Sequence, residues 1–285
     1  MTGMPDVVIT EFTDPTCPWA YSAEPVRRRL DWLYGDRLQW RTCMVGLAAS
    51  IEESEARGLT VEATAEHLRE IAERQRMPID TRPRPRLVAS LPACRAVVAA
   101  RLHQPADERH LLRRLRVRCF SGELIDAEET IAAAARDAGI DPQALAMWVA
   151  GDDVGAALAA DLTRAREPIE AARVLDAKLA NWSGGRRYTC PSYEVTRVAD
   201  GVKIAIPGFQ PFAVHDVIFA NLVPGIDRRE PPERVEDVLD WTAAPLATAE
   251  VAAVCDISHD EARERLGRVA TECHVGFDGF WSRHD

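Results

Sequence analysis

The sequence predicts an α/β protein in which a long all-helical segment interrupts a strand-containing domain. Two observations support this fold class. Apolar runs typical of buried strands occur near the start, at 7–12 and 38–45, and again at 188–195 and 202–206. Between them, from about 51 to 179, the apolar residues recur with helical spacing. We therefore expect one sheet built from both strand-containing parts, with the helices inserted after the second strand.

The first strand is expected to lead into a helix through a short turn that carries a cysteine. Thr16 and Cys17 are the two N-cap candidates, and Pro18 suits the first helical position because its missing N–H costs nothing there. We expect this helix to run to about Tyr34. The sulfur of Cys17 would then lie beside the free N–H groups at the positive helix end, which lowers a cysteine pKa from its free value of about 8.5. The alternative is a buried, unreactive cysteine.

The inserted segment is expected to consist of successive amphipathic helices. Asp126 and Asp141 mark helix starts, and Gly139 marks a helix stop. The predicted helices span 61–77, 91–102, 111–120, 126–138, 141–150 and 154–166.

One of these helices carries four arginines, which could be read as an anion site. They point to several faces of the helix, so we expect a solvated surface instead. The four are Arg113, Arg114, Arg116 and Arg118.

The second strand-containing part begins after a predicted loop at 183–187. A strand is expected over 188–195, and Asp200-Gly201 is a strong hairpin signal before the returning strand at 202–206. A helix from about Gly208 to Leu222 completes this part.

The chain after residue 227 is expected to add a small separate module. A short helix at 235–241 precedes two helices, at 248–255 and 258–271, and a terminal hairpin at 275–281. This order is similar to a winged helix-turn-helix module. Its seven basic and fourteen acidic residues give a net charge of −7, so we expect packing or dimerisation, with a homodimer left open, rather than DNA binding.

Composition narrows the function classes. The 285 residues carry a net charge of −10, which argues against sequence-independent binding to nucleic acid and against binding to an anionic membrane. No apolar run approaches the roughly 20 residues that span a bilayer, and the N-terminus lacks a signal-peptide pattern. Seven scattered cysteines do not form a secreted disulfide pattern. We expect a protein of the reducing cytoplasm.

The cysteine turn and the start of its helix read Cys17-Pro18-Trp19-Ala20-Tyr21-Ser22-Ala23-Glu24-Pro25. This stretch resembles the active site of the DsbA-like branch of the thioredoxin superfamily. The family has Cys-Pro-x-Cys and, further along, a Glu-Pro that kinks the first helix. Here Ala20 replaces the second cysteine, so the usual dithiol chemistry is in doubt.

The resemblance implies a thioredoxin-like fold with a large all-helical insertion, which is the family's arrangement. The C-terminal winged-helix-like module is then an addition to that fold. The predicted domains are 1–47 and 176–226 for the two halves of the thioredoxin-like domain, 48–175 for the insertion and 227–285 for the C-terminal module.

The resemblance also implies a cis-proline loop against the active cysteine, and by position Pro191 is that proline. Cys190, which precedes it, could resolve a disulfide formed by Cys17, share a metal with it, or simply pack. Because two thiolates do not complete a zinc shell, we expect no metal site. The implied catalytic residues are Cys17 and Cys190, and the implied substrate-binding residues are Pro18, Trp19, Thr189 and Pro191.

Two functions from different classes remain. The first is a thiol–disulfide oxidoreductase or thiol transferase that runs a monothiol cycle on Cys17, with no bound cofactor. Its partners would be a small thiol or a protein disulfide, and a low-molecular-weight thiol or Cys190 would resolve the mixed disulfide. A variant is a glutathione-dependent isomerase of the 2-hydroxychromene-2-carboxylate isomerase type, which is related to kappa-class glutathione transferase. The second is a non-redox binding or regulatory protein on a thioredoxin scaffold.

Overall fold

The computed structural model describes residues 4–242 and 244–284. Nine strands are present in these ranges and form three sheets. In chain order the strands are β1 (Val7–Thr13), β2 (Leu38–Met44), β3 (Ala180–Trp182), β4 (Gly185–Arg187), β5 (Ser192–Arg197), β6 (Lys203–Pro207), β7 (Leu246–Ala247), β8 (Ala270–Val275) and β9 (Asp278–Arg283).

Fourteen α-helices accompany these strands in the described ranges. They are α1 (Pro18–Ser22), α2 (Glu24–Tyr34), α3 (Ile51–Ala56), α4 (Val61–Gln75), α5 (Leu91–His103), α6 (Glu108–Phe120), α7 (Glu128–Asp137), α8 (Pro142–Val149), α9 (Asp152–Ala165), α10 (Glu170–Arg173), α11 (Phe212–Leu222), α12 (Val235–Trp241), α13 (Thr248–Cys255) and α14 (His259–Leu266).

The central sheet joins strands from the two distant parts of the chain, in the order β2-β1-β5-β6. Ile9 on β1 lies opposite Trp40 in the parallel pair with β2 and opposite Val195 in the antiparallel pair with β5. The turn at Asp200-Gly201 connects β5 to β6 as predicted, and Gly201 has a φ of 74°, which glycine adopts without a steric cost. The expected fold class, a thioredoxin-like α/β fold with helices inserted after the second strand, is confirmed.

The helix expected over 18–34 is interrupted, and this part of the prediction is wrong. It divides into α1 and α2 at Ala23. Pro25 lies in the first turn of α2, and because proline has no N–H it cannot donate the hydrogen bond that would continue α1. The N–H of Ala23 bonds instead to the carbonyl of Ala20, three residues back. Glu24 and Pro25 thus begin α2 directly after the break.

The insertion is built around α5, which is apolar on nearly all of its faces. Its alanines and valines from Ala93 to Ala100 are almost completely buried, apart from Arg95. The helix contacts α6, α8 and α9, so it forms the centre of the helical cluster. A helix that is apolar all round belongs in such an interior position. The insertion helices begin and end within a few residues of the predicted bounds.

The arginines on α6 correct the expectation of a solvated face. Arg113 and Arg116 are buried, and the side chain of Arg116 is only 2% exposed. Arg116 donates hydrogen bonds to Glu11 on β1 and to Glu24 on α2. These partners are 105 and 92 residues away in sequence, so the pattern of one helix could not reveal them. Arg118 forms an ion pair with Glu123 near the surface, and Arg114 is half-buried. These two residues therefore do lie on a partly solvated face.

The second half of the sheet differs from its prediction at its start. The segment expected to be a loop contributes β4, which pairs with β3 in a small antiparallel hairpin. The strand expected from Tyr188 begins only at Ser192. The intervening residues instead form the loop that ends at Pro191.

The C-terminal segment contains three helices and a three-stranded sheet of order β7-β9-β8. The helix expected over 258–271 is shorter: α14 ends at Leu266 and the chain continues as β8. The predicted terminal hairpin is formed by β8 and β9. The winged-helix-like assignment stays a prediction. Ala247 and Phe280 of this segment pack into the same apolar core as the insertion helices.

None of the helices in 4–242 and 244–284 combines the length and the apolar character needed to cross a bilayer.

Candidate functional site

The turn between β1 and α1 is held by a buried carboxylate. Oδ1 of Asp14 accepts hydrogen bonds from the backbone N–H and the hydroxyl of Thr16, at 2.8 and 2.7 Å. Oδ2 accepts from the backbone N–H of Leu47, at 2.8 Å, which ties the turn to the chain after β2. Asp-x-Thr is a typical sequence for such a turn. Asp14 is therefore a site residue that the sequence analysis missed, although its turn signature was present.

Cys17 is the N-cap of α1 and was one of the two predicted candidates for that position. It has extended backbone geometry, and its Sγ accepts a hydrogen bond from the N–H of Ala20, at 3.5 Å. The residue is 5% exposed. The sulfur therefore occupies the place that a hydroxyl or carboxylate oxygen has at most helix starts, where negative charge is favoured.

Cys17 and Cys190 lie next to each other. The Sγ of Cys17 is 3.3 Å from the backbone carbonyl oxygen of Cys190, and the Cys190–Pro191 peptide bond is cis. Cys190 is partly buried and Pro191 is buried. The loop that the resemblance assigns to the active cysteine thus contacts its sulfur directly.

The two thiols have opposite pKa shifts. A hydrogen bond from the Cys190 side chain lowers the pKa of Cys17, and the N–H groups of Ala20 and Trp19 lower it further, against the opposing effects of burial and of Asp14. Burial raises the pKa of Cys190 well above its usual value, and its bond to Cys17 raises it again. Of the two thiols, Cys17 is therefore the one that loses its proton first, while Cys190 stays neutral.

In the other thiols with a shifted pKa, the shift is upward, opposite to that of Cys17. Burial raises the pKa of each of them, to about 11 for Cys255. The raised thiols outside the site are Cys43, Cys94, Cys119 and Cys255.

Ala20 lies at the position where a Cys-x-x-Cys motif has its second sulfur. It is buried, with its N–H directed to Cys17. The cysteine that contacts Cys17 is Cys190, which comes from a different element. Any internal disulfide here would have to join the helix start to the loop.

Thr189 fastens the Cys190 loop. Its hydroxyl donates to the carbonyl of Lys178, at 3.0 Å, and lies 3.1 Å from the hydroxyl of Ser192. Ser192 in turn accepts from the N–H of Gly208, at 3.1 Å. The hydroxyl of Thr189 is thus engaged within the protein, and Ser192 is a further supporting residue that the sequence analysis missed.

Pro18 and Trp19 lie on the rim of the site, with different surroundings. Trp19 packs edge-on against Phe209, with ring centroids 5.6 Å apart, and borders a surface groove along α4. Pro18 and Thr16 line a separate cavity between the turn and the insertion. Pro18 and Trp19 therefore flank Cys17 at places where a substrate could approach.

A buried charge cluster lies on the strand and helices that carry the site. Arg116 bonds to Glu11, to Glu24 and to the hydroxyl of Thr13, the last residue of β1. Burial raises the pKa of Glu24, but Arg116, Arg113, Arg28 and Arg27 together outweigh burial, and the net pKa is well below its usual value. Arg27 adds a second guanidinium at 2.7 Å from Glu11. The cluster joins β1, α2 and α6 behind the turn.

Comparison with known proteins supports the family suggested by the active-site turn. The model of the DSBA-like thioredoxin domain matches residues 8–168. The ClpXP adapter protein SpxH of Halalkalibacterium halodurans is 24% identical over 267 residues, which cover 92% of this chain and 82% of that protein.

Two solved structures have a similar fold. The cytosolic disulfide reductase DsbM from Pseudomonas aeruginosa has a TM-score of 0.51 and 18% identity, over 75% of this chain and 98% of that chain. A probable DsbA oxidoreductase from Streptomyces coelicolor has a TM-score of 0.53 and 15% identity, over 79% of this chain and 100% of that chain. At these identities the likeness concerns the fold.

Proposed function

This chain belongs to the DSBA-like thioredoxin domain family, and from that premise we propose that it is a thiol–disulfide oxidoreductase or thiol transferase acting through Cys17. One observation carries the proposal: Cys17 is the N-cap of a helix, with its sulfur beside the N–H of Ala20 and in contact with the loop of Cys190, surroundings that lower its pKa. The thiolate is the form of cysteine that attacks disulfides. Cys17 is the nucleophile in this proposal, and Pro18, Trp19, Thr189 and Pro191 border the bound substrate.

The first step of the proposed cycle is thiol–disulfide exchange. The Cys17 thiolate attacks one sulfur of a substrate disulfide, a new S–S bond forms to Cys17, and the other substrate sulfur leaves as a thiolate that takes a proton from water. The product is a mixed disulfide. No net oxidation has yet occurred, because one disulfide has replaced another.

Two routes resolve this mixed disulfide. Cys190, once deprotonated, attacks the Sγ of Cys17, which releases the second substrate thiol and leaves a Cys17–Cys190 disulfide. Two low-molecular-weight thiols then reduce that disulfide and are themselves oxidised to a disulfide. Alternatively, the thiolate of one such thiol attacks the substrate sulfur of the mixed disulfide, forms a new disulfide with it and releases Cys17 as the thiolate. The high pKa of Cys190 slows the first route at neutral pH, because little of its thiolate is present.

Mass spectrometry after mild oxidation tests the assignment. We expect diamide treatment of the wild-type protein to yield a Cys17–Cys190 crosslink in peptide maps. In Cys190→Ala, the same oxidation with added glutathione should leave glutathione on Cys17 instead. Cys273→Ala, which removes an exposed thiol remote in sequence, is the matched control and should form the wild-type crosslink. Oxidation that leaves both Cys17 and Cys190 unmodified would contradict the proposal.

The cellular setting of this proposal is the reducing cytoplasm. All seven cysteines are free thiols, and five of them are buried. A chain adapted to an oxidising compartment more often pairs its cysteines.

A second candidate is a protein adapter that uses the same scaffold without redox turnover. The relative named as a ClpXP adapter supports it, since the match extends over 92% of this chain. The replacement of the second motif cysteine by Ala20 is also compatible with lost dithiol chemistry. In this case the partner would be a protein.

Direct binding separates the two candidates. An adapter should bind purified ClpXP in a sedimentation assay, and Cys17→Ser should bind equally well. The oxidoreductase should instead reduce a small disulfide at the expense of glutathione, and Cys17→Ser should abolish that turnover. Binding to ClpXP with no turnover in the wild-type protein would favour the adapter.

A further inference from the structure

A cavity of about 280 Å³ lies between the cysteine turn and the helical insertion. Thr16 and Pro18, the neighbours of Cys17, form part of its wall. The cavity therefore opens beside the thiol but does not include it. Its size is near the lower end of small-molecule sites, which measure about 300–1,000 Å³.

The interior of this cavity is mainly apolar. Leu68 and Phe120 are buried side chains of α4 and α6 that contribute to its floor, and Val88 adds a further apolar wall. A ligand that fills it would bury apolar surface, which is the main source of affinity in such sites.

The charged residues of the lining are all basic. Arg57, Arg82, Arg84 and Arg86 line the cavity, and none of its nineteen lining residues is acidic. This is unusual for a chain with a net charge of −10. The lining would thus favour an anion over a cation or a neutral molecule.

Two of these arginines are neutralised from outside the cavity. Arg82 makes a bidentate pair with Asp80, and Arg86 makes one with Asp126, with its closest contact at 2.6 Å. Their charges are therefore largely compensated.

The other two arginines bond to neutral acceptors. Nη2 of Arg57 donates to the carbonyl of Leu47, at 2.9 Å, and Nη2 of Arg84 donates to the carbonyl of Cys119. The Nε of Arg84 is buried and has no hydrogen-bond partner among residues 4–242 and 244–284.

The cavity has an apolar interior, and Arg57 and Arg84 have no carboxylate partner in the part of the chain that the structure describes. From these two features we propose that the cavity binds an apolar monocarboxylate beside Cys17. The hydrocarbon or aromatic body fills the space between α4 and α6. Its carboxylate is held by Arg57 and Arg84. This site goes beyond the thiol chemistry proposed above and does not require the Cys17 thiolate.

Fluorescence competition tests the site, with 8-anilinonaphthalene-1-sulfonate as the probe and decanoate as the competitor. Decanol is the neutral control, since it has the same chain without the charge. We expect decanoate to displace the probe at least about tenfold more effectively than decanol, since a hydrogen bond to a charged group accounts for about a tenfold change or more in affinity. Cys17→Ser should behave as the wild-type protein, which keeps this test separate from the thiol mechanism.

Arginine variants locate the binding. Arg57→Gln and Arg84→Gln should each weaken decanoate binding about tenfold. Arg57 is exposed, so its variant should fold normally even if Arg84→Gln does not. Arg74→Gln is the matched control, because Arg74 lies on α4 beside the groove of Trp19 but outside the cavity. Equal displacement by decanol and decanoate, or wild-type affinity in Arg57→Gln, would overturn the proposal.

Discussion

The turn around Cys17 and the cluster around Arg116 are both buried and polar, but they are stabilised by different means. The sulfur of Cys17 is stabilised by the neutral Cys190 thiol and by backbone N–H groups. In the cluster, full charges oppose each other: Arg116 lies against Glu11 and Glu24. Hydrogen bonds from neutral groups stabilise a thiolate without cancelling its charge, whereas ion pairs cancel it. The first arrangement suits a nucleophile and the second suits a structural join.

Because of this difference, we expect mutations in the two regions to change different properties of the protein. Loss of a cluster residue leaves an uncompensated charge in the interior and should mainly reduce the free energy of unfolding. Loss of a neighbour of Cys17 should mainly change thiol reactivity. The predictions below test whether the two regions separate in this way, from the largest expected effect to the smallest.

Replacement of Arg116 by methionine should have the largest effect on stability. Glu11 and Glu24 would remain buried with less compensation, and breaking a buried ion pair typically costs about 3–5 kcal/mol. Urea unfolding monitored by circular dichroism measures this loss. Arg114→Met is the matched control on the same helix, since Arg114 is half-buried and bonds only to the backbone carbonyl of Asp137 within the described chain.

A loss below about 1 kcal/mol in Arg116→Met, or an equal loss in Arg114→Met, would show that the cluster contributes no more than a surface pair. The rate of Cys17 alkylation per folded molecule should stay close to that of the wild-type protein.

Acid should destabilise the protein partly through Glu24. Burial raises its pKa, but Arg116 and the other nearby arginines, Arg113, Arg28 and Arg27, together outweigh burial, so the folded-state pKa lies below the unfolded value of about 4.3. The stabilisation is therefore complete above that value and is lost as the pH falls towards the folded pKa. One such group contributes at most about 1.4 kcal/mol per pH unit.

Urea unfolding at several pH values between 3 and 6 measures this dependence. Arg116→Met should show a shallower fall, because Glu24 then loses the strongest of the attractions that lower its pKa, although Arg113, Arg28 and Arg27 remain. An identical slope in the variant and the wild-type protein would mean that other carboxylates account for the acid sensitivity.

Asp14→Asn should have a smaller, mixed effect. The amide loses the oxygen that accepts from the N–H of Leu47, and the unmatched donor should cost about 1–3 kcal/mol of stability. The negative charge of Asp14 raises the pKa of Cys17, so the variant should have a lower Cys17 pKa. Unfolding curves and alkylation rates on the same sample measure both changes. A raised Cys17 pKa in this variant would show that Asp14 acts through the shape of the turn and not through its charge.

The two regions also differ in how far the sequence could predict them. The N-cap position of Cys17 follows from residues within one turn of it, and the Asp200-Gly201 hairpin follows from two residues. The burial of Arg116 depends on Glu11 and Glu24, far away in sequence, so its helix alone suggested a solvated face.

Other differences between expectation and structure have local causes. The helix break at Ala23 could have been placed from Pro25, since proline cannot continue the hydrogen-bond ladder. The β3–β4 hairpin has three residues in each strand, too few for an alternating pattern to be recognised. Local chemistry therefore predicted the N-cap position of Cys17 and its turn, while packing between distant segments determined the surroundings.

The alkylation rate of Cys17 as a function of pH tests the central claim most directly. Iodoacetamide modification, followed by peptide mass spectrometry, gives the rate at this residue between pH 5 and 10. We expect an inflection below the free-cysteine value of about 8.5, and no modification of this peptide in Cys17→Ser. In Cys190→Ala the inflection should move to higher pH, because the strongest of the interactions that lower the pKa is removed. An inflection at or above the free value in the wild-type protein, unchanged in Cys190→Ala, would contradict the account of Cys17 as an activated nucleophile.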